Sequence, residues 1–245
     1  AILAGFPPLV GLYAAFIMGL VTAIFGGRPG MISGGAGATV VVLIALMQSH
    51  GIEYVFAAVA LAGIVQILVG LFKLGKFIRL VPQPVMYGFV NGLAVIIFMS
   101  QFEQLKQVVN GEVSWLTGTP LIVMLGLVAL TIVIVVSFPK ISKAVPASLV
   151  AIIVVFLVVL GFGIDTKTVE DIASVQGGFP PFHIPQVPIN PDTLQIIFPY
   201  ALIMAAVGLT EGLLTLNLVD DITGTRGNSN RECLAQGSAN IANGF

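Results

Sequence analysis

Long apolar runs alternate along the chain with short segments rich in glycine, proline and charged residues. A helix needs roughly 17–25 apolar residues to cross the hydrocarbon core of a bilayer, and its backbone must satisfy its own hydrogen bonds there. The runs lack the period-two alternation of an outer-membrane barrel, so helices are predicted. The predicted spans are Leu9–Phe25, Tyr54–Phe72, Pro84–Ser100, Leu121–Phe138, Val145–Phe162 and Leu194–Val219.

One segment departs from this pattern, because a glycine-rich stretch precedes a helix that is too short to cross. The run from Met31 to Ala38 is non-helical in character, and Thr39–Gln48 predicts about ten helical residues, or about 15 Å. That length is half of the hydrocarbon thickness. Irregular backbone is tolerated at this depth only where it is buried in protein or lines an aqueous cavity. Such a discontinuous helix is typical of substrate sites in transporters, although small residues also serve close helix packing.

Composition agrees with a membrane protein and argues against several other classes. The 245 residues are 57% hydrophobic and 9% charged, with a mean hydropathy of +1.06, whereas soluble domains carry about 25% charged residues. The net charge of −1 gives no sign of a nucleic-acid partner. The single cysteine excludes an intramolecular disulfide. His50 and His183 both fall in predicted loops, which argues against a histidine metal site.

The basic residues predict an orientation in the membrane. If the Thr39 helix counts as one crossing, eight of the ten basic residues fall on one side, which the positive-inside rule makes cytoplasmic. These eight residues are Arg28, Lys73, Lys76, Arg79, Lys140, Lys143, Arg226 and Arg231. The short helix therefore behaves as a complete crossing. The acidic residues Asp220 and Asp221 are expected to cap a cytoplasmic helix end or to meet Arg226.

An acidic residue, Glu211, lies inside the last predicted span. A carboxylate at that depth is costly unless it is paired, hydrated or protonated, so intramembrane acids are candidates for function. Thr215 follows four residues later and shares the same helix face. Together the two side chains could supply oxygen ligands for Na⁺, or Glu211 alone could carry a proton. The alternative is that Glu211 makes a polar interhelical contact and has no role in transport. Gln66 in an earlier span is expected to make an interhelical hydrogen bond.

Four stretches carry recognisable motifs: AGFPPLVGLYAAF (4–16), ISGGAGATVVV (32–42), LGKFIRLVPQPVMYGFVNGLA (74–94) and EGLLTLNLVDDITGTRGNSNRECLAQGSANIANGF (211–245). Together they resemble the sulfate permease (SulP) family of inorganic-anion transporters, including its bicarbonate-transporting branch. The last stretch is the most specific. Its N-x-N-x-E-x-x-x-Q-G-x-x-N run, residues 228–240, is similar to the family's segment after transmembrane helix 8.

The resemblance implies an all-α polytopic membrane protein, part of a 7+7 inverted-repeat transporter with core and gate subdomains and a discontinuous half-helix 3. Residues 1–245 would be a fragment of the transmembrane transport domain, from the end of helix 1 to about the start of helix 9. Half-helix 10, which supplies the opposing half of the site, and the cytoplasmic regulatory domain would lie outside it. The resemblance also implies the cell inner or plasma membrane as the location of a multi-pass protein, contact with lipid, and a homodimer of the full-length protein.

The resemblance further assigns residues to two sites. In the family the anion lies between the facing N-termini of half-helices 3 and 10, which corresponds here to Gly35, Ala36, Gly37, Ala38 and Thr39. Many relatives have a proline and a threonine in the helix-3 loop that this chain lacks, so backbone N–H groups and the Thr39 hydroxyl would hold the anion. The acidic helix-8 position corresponds to Glu211. Thr215 matches a threonine of Na⁺-coupled bicarbonate members, in which the acid is aspartate.

The expected function is secondary active transport of sulfate or bicarbonate by alternating access, coupled to Na⁺ or H⁺ through Glu211 and without another cofactor. A nucleobase- or ascorbate-type carrier shares this architecture and is one alternative. An anion channel or a voltage-responsive membrane motor is another. The sequence contains no HExxH motif, no GxSxG motif and no paired intramembrane acids, so an enzyme is not expected.

Overall fold

The computed structural model is predominantly helical and describes residues 6–35, 37–80, 83–109, 112–142, 144–166, 178 and 182–245. Its helices are α1 (Pro8–Phe25), α2 (Gly37–His50), α3 (Ile52–Leu71), α4 (Gln83–Gln101), α5 (Thr119–Ser137), α6 (Ala147–Phe162), α7 (Pro191–Thr223) and α8 (Ser229–Asn243). Strands β1 (Lys106–Val109) and β2 (Glu112–Trp115) form an antiparallel hairpin in which Lys106 pairs with Trp115. Short 3-10 turns occupy Leu74–Leu80, Phe102–Leu105 and Phe138–Lys140.

Each predicted span coincides with a helix, and only the ends differ by a few residues. By length and composition, four stretches of the described residues are able to cross a membrane: α1, α3, Thr119–Lys140 and α7. α7 is the longest helix, with 33 residues, and begins where the Asn190 side chain accepts a hydrogen bond from the Thr193 N–H at 2.8 Å. The expected end of helix 1, before Gly5, lies outside the described residues.

The prediction that His50 lies in a loop is wrong, because α2 continues through its last turn to this residue. The Ser49 hydroxyl donates to the Ala45 carbonyl at 2.8 Å, and the Gly51 N–H donates to the Met47 carbonyl at 2.9 Å. Gly51, with φ of 86°, then ends the helical path. α2 therefore has 14 residues, not about ten.

His183 lies in a loop, as predicted. Its Nε2 is 2.9 Å from Oε2 of Glu53 at the start of α3, and both side chains are partly exposed.

Asp220 neither caps a helix end nor meets Arg226. It lies inside α7, where its Oδ1 is 3.3 Å from Nη1 of Arg28 and accepts a hydrogen bond from the Gly227 N–H at 2.8 Å. The side chains of Arg28 and Asp220 are both largely buried, whereas Arg226 is exposed. A buried carboxylate needs a buried partner, and the connection after α1 supplies it.

The chain divides into two compact units. The first comprises Ala1–Ile97 and Ile172–Phe245, and it holds α1, α2, α3, most of α4, α7 and α8. The second, Phe98–Asp171, holds the hairpin, α5 and α6. α5 has no buried residue and exposes large apolar side chains along its length, including Ile122, Ile132 and Val136. Such a surface suits a lipid environment.

Three successive apolar clusters hold α3 against α7 in the first unit. Going along α3, the residues that share a cluster are Val55 with Ile197, Ala62 with Ala201, and Val69 with Leu209. The residue numbers rise together on both helices, so α3 and α7 run parallel.

α2 runs in the opposite direction, because only Gly51 separates it from α3. Its Leu46 lies in the first of the three clusters, and its Val42 packs against the second. The 14 residues of α2 rise about 21 Å, which brings its start to about the level of Gln66 on α3. The glycine-rich start of α2 therefore lies within the length of α3, not beyond either of its ends.

α8 packs against α3 through two facing glycines. A Cβ at Gly63 would lie 2.5 Å from the carbonyl oxygen of Gly237, and a Cβ at Gly237 would lie 2.6 Å from the carbonyl oxygen of Gly63. Helices with glycine at the crossing point approach until their backbones touch. α3 is the main neighbour of α8, which also packs against α1 and α7.

We expect Gly237→Ala to lower the free energy of unfolding by about 1–3 kcal/mol, because the new methyl group must displace the α3 backbone. Gly126→Ala in α5 is the control: a Cβ at Gly126 meets nothing within 4 Å, and alanine is favoured over glycine in a helix by about 1 kcal/mol. Thermal unfolding in detergent compares the two variants. A Gly237→Ala protein as stable as the control would contradict the backbone contact.

We expect Cys233 to resist thiol reagents at neutral pH in the folded protein. The side chain is fully buried in α8, and burial together with the nearby charge of Glu232 raises the pKa of its thiol to about 11. The thiolate is the reactive form, so little of it exists near pH 7. Mass spectrometry of the peptide containing Cys233 after N-ethylmaleimide treatment measures the reaction. Labelling should appear after denaturation, and labelling of the folded protein at the rate of a free thiol would disprove the burial.

Candidate functional site

The expected anion half-site is the N-terminal end of α2. The chain from Met31 to Gly35 is non-helical and α2 begins at Gly37, two residues before the predicted start. Ala36 lies outside the described residues. A Cβ at Gly34 or Gly35 would meet nothing within 4 Å, so open space adjoins the loop. The expected break before a short helix is present.

The start of α2 offers hydrogen-bond donors to an anion. The first four N–H groups of a helix lack partners within the helix, and its dipole adds about half a positive charge at that end. In α2 these groups belong to residues 37–40, and Thr39 adds a half-buried hydroxyl. No lysine or arginine occurs between Pro29 and His50. Backbone dipoles alone are therefore available on this segment to attract negative charge.

Glu211 and Thr215 lie one turn apart on α7. Glu211 is half-buried, and within the described part of the chain its carboxylate makes no hydrogen bond or ion pair. The Thr215 Oγ1 donates to the backbone carbonyl of Glu211 at 2.9 Å. This bond uses the hydroxyl hydrogen and leaves the oxygen lone pairs available. The two residues thus present oxygen donors, which hard cations prefer, on one helix face.

No larger metal site occurs in the ranges that the structure describes, where no three His, Cys, Asp or Glu side chains gather. The oxygens of Glu211 and Thr215 remain the candidates that the sequence predicts for holding a cation within the membrane.

The position of Gln66 allows the depth at which α2 begins to be compared with the depth of Glu211. The start of α2 lies at about the level of Gln66, as the rise of 1.5 Å per residue requires. Gln66 also lies against α7, where a Cβ at Gly208 would lie 3.1 Å from Nε2 of Gln66. Glu211 follows Gly208 by three residues, about 4.5 Å along α7. The first unit therefore brings a helix N-terminus and an intramembrane carboxylate to a similar depth.

A row of polar residues on α8 lies beside the same parts of α3 and α7. Glu232, Gln236 and Asn240 are spaced four residues apart and share one helix face. Gln236 Nε2 donates to Glu232 Oε1 at 3.1 Å, and Asn240 Nδ2 donates to Gln66 Oε1 at 2.7 Å. The expected interhelical hydrogen bond of Gln66 is confirmed. The sequence motif contained the other three residues without a role for them, although their spacing of four predicts a common face.

Glu232 also joins α8 to the connection between α1 and α2. Its side chain is 2% exposed, and its Oε2 accepts a hydrogen bond from the Gly27 N–H at 2.9 Å. The Asn228 N–H donates in return to the Gly27 carbonyl at 2.9 Å. The chain that leads to the start of α2 is thus fixed at its first residues by the N-terminal end of α8.

Comparison with known proteins agrees with the geometry. Residues 1–245 match the family model described as the sulfate permease family. The chain is 42% identical over 245 residues to "Putative sulfate transporter YbaR" of Bacillus subtilis (strain 168), which covers 100% of this chain and 49% of that protein. It is 31% identical over 252 residues to "Bicarbonate transporter BicA" of a Synechocystis strain, which covers 96% of this chain and 44% of that protein.

A solved structure is also similar. The transmembrane domain of a cyanobacterium bicarbonate transporter BicA matches with a TM-score of 0.81 and 29% identity, over 99% of this chain and 66% of that chain. The match confirms the expected fold class, a helical membrane protein of the 7+7 inverted-repeat type. The chain spans about half the length of the curated relatives it matches, and these relatives carry the names of transporters, not of enzymes. The chain belongs to the sulfate permease family of multi-pass membrane proteins.

Proposed function

We propose that this protein carries out secondary active transport of a small inorganic anion, sulfate or bicarbonate, across the cell membrane. The observation that carries the proposal is the position of the α2 N-terminus at a depth similar to that of Glu211. An anion attracted by the first group and a cation attracted by the second bind close enough to influence each other. Relatives named as sulfate and bicarbonate transporters support this class of substrate.

The anion binds at the start of α2, from Gly35 to Thr39. Sulfate and bicarbonate carry several acceptor oxygens, which match the several N–H donors of a helix N-terminus. Backbone donors carry no full charge, so they bind such an anion less tightly than a lysine or arginine would. Weaker binding allows the release that every transport cycle requires. The family resemblance adds a second helix N-terminus, opposite the first, from a segment outside residues 1–245.

The coupling cation binds at Glu211. An ionised carboxylate at the depth of the anion repels the anion, and Na⁺ binding or protonation removes that charge. Each ligand therefore favours the binding of the other, which is a coupling free energy between two sites. Na⁺ uses the oxygens of both Glu211 and Thr215, whereas H⁺ requires Glu211 alone.

We infer alternating access, and the division of the chain into two units supports this part of the proposal. The α2 start and Glu211 both belong to the first unit, and Phe98–Asp171 contributes none of the assigned residues. The first unit therefore carries the loaded site as the core, and the second acts as the gate. Movement of one against the other exposes the site to each side in turn.

We expect Glu211→Gln to abolish the stimulation of anion uptake by a cation gradient, because the neutral amide gains nothing from Na⁺ or H⁺. The full-length protein in proteoliposomes is tested for uptake of labelled sulfate and bicarbonate, with and without Na⁺ and pH gradients. Thr215→Val should reduce stimulation only if Na⁺ is the coupling ion. Thr210→Val is its control, since the Thr210 hydroxyl also bonds to a carbonyl of its own helix, at 2.7 Å from Ala206 O.

Two results would overturn these assignments separately. Unchanged gradient stimulation in Glu211→Gln would remove the coupling role of this residue. Uptake of neither anion by the wild-type protein, or competition by uracil, would remove the substrate class and favour a carrier of nucleobases.

We expect Thr39→Val to raise the KM for the anion about tenfold, because a hydrogen bond to a charged group contributes about 1.5–3 kcal/mol. Thr39→Ser retains the hydroxyl and should stay near the wild-type KM. Thr131→Val in α5 is the control for removal of a helix hydroxyl, which bonds there to the Leu127 carbonyl at 2.8 Å. An unchanged KM in Thr39→Val would exclude this hydroxyl from anion binding.

A further inference from the structure

We propose that Gln236 is a positioning residue for Glu211: it ties α7 at Gly212 to Glu232, and through Glu232 to the connection that leads to the start of α2. The inference rests on the proposed function, because it assigns a residue outside both ligand sites to the coupling between them. Gln236 acts through the backbone of α7 and through Glu232, not through contact with either ligand.

Gln236 lies directly against the α7 backbone at the residue after Glu211. A Cβ at Gly212 would overlap Nε2 of Gln236 and would lie 2.8 Å from its Cδ. The Gln236 side chain is 6% exposed. An amide buried in this way is costly unless it is hydrogen-bonded, and its Nε2 donates to Glu232 at 3.1 Å. The amide nitrogen that lies against α7 is thus also held by Glu232.

Glu232 joins this contact to the other half of the site. Its Oε1 accepts from Gln236, and its Oε2 accepts from the Gly27 N–H at 2.9 Å. Hydrogen bonds to a charged group are stronger than neutral ones. One buried carboxylate therefore fixes both the chain leading to α2 and the amide that packs beside Glu211.

A second glutamine makes the same kind of contact one turn earlier. Gln66 of α3 lies against Gly208, 3.1 Å from a Cβ built there, and its Oε1 accepts from Asn240 Nδ2 at 2.7 Å. Glu211 thus lies between two glycines of α7, each covered by an amide that a residue of α8 holds. Contacts at two successive turns of one face prevent α7 from rotating or sliding, so the direction of the Glu211 side chain is set.

The consequence is specific to coupling. If residue 236 no longer bonds to Glu232, its contact with Gly212 is no longer fixed to Glu232, and Glu211 moves relative to the start of α2. The donors of α2 remain in place, because their own packing is against the clusters of Leu46 and Val42. We therefore expect the link between cation and anion to weaken while intrinsic anion binding persists.

The experiment is Gln236→Met in the full-length protein in proteoliposomes. Methionine has nearly the same length and keeps the contact with Gly212, but it cannot donate to Glu232. We expect gradient stimulation of anion uptake to fall about fivefold to tenfold, and the anion KM without a gradient to stay within about twofold of wild type. Gln195→Met is the matched control, because Gln195 is exposed near the start of α7.

Two further variants sharpen the test. Glu232→Gln keeps an acceptor for the Gly27 N–H and a neutral bond to Gln236 after an amide flip, so stimulation should be partly retained. Gln236→Asn keeps the amide but is one methylene shorter, and it replaces Gln236→Met if that variant does not yield folded protein. Size-exclusion chromatography and thermal unfolding establish folding for each.

The outcomes separate this inference from the proposed function. Full stimulation in a folded Gln236 variant, when Glu211→Gln abolishes it, overturns the positioning role alone. If gradient stimulation falls and the anion KM rises by a similar factor, Gln236 has a general structural role, and the positioning role is overturned. Absence of gradient stimulation in the wild-type protein overturns both the inference and the coupling part of the proposed function.

Discussion

The backbone contact between Gly63 and Gly237 is the constraint on which the rest of the first unit depends. The Gln66–Asn240 hydrogen bond joins residues three positions after these two glycines, and because α3 and α8 run antiparallel it spans the contact diagonally. Ordinary helix pairs are separated by about 8–10 Å between axes. At a wider separation the 2.7 Å bond could not form, and α8 would lose its polar partner on α3.

Polar α8 packs closely because small residues let it approach and because Glu232, Gln236 and Asn240 are hydrogen-bonded. A buried hydrogen-bond network stabilises one arrangement when its members are satisfied, and it penalises any other arrangement. The row from Glu232 to Asn240 therefore selects a single position of α8 relative to α3 and α7.

The sequence predicted the elements whose signal is apolar content. The spans followed from hydropathy, and the break before α2 followed from the glycines between Ser33 and Ala38. α8 gave no such signal, because a helix buried against backbone and polar side chains has low hydropathy. The hairpin at residues 106–115 has only short strands and was not predicted. Arg28 was not predicted as the partner of Asp220, since nothing in a linear sequence joins the end of α1 to the end of α7.

The residues of the candidate site that the sequence predicted are those whose type is unusual within a membrane span. Glu211 is recognisable as a carboxylate in an apolar run, and the glycines at the start of α2 as a break in a membrane span. Gln236 and Glu232 are recognisable only by a spacing of four in a segment without an apolar face, and the need for them appears once α7 is seen against α8.

In the proposed mechanism, the residues that hold α7 in place are different from the residue that binds the coupling ion. The Gln66 amide contacts the α7 backbone at Gly208, and the Gln236 amide contacts it at Gly212. Neither amide is bonded to the Glu211 carboxylate. A direct hydrogen bond or ion pair would stabilise the ionised acid and would compete with a cation. A carboxylate without such a partner in the described structure is costly in a membrane, and the binding of Na⁺ or H⁺ relieves that cost. Under the proposed function, the energy released on neutralisation favours the binding of the anion at the same depth.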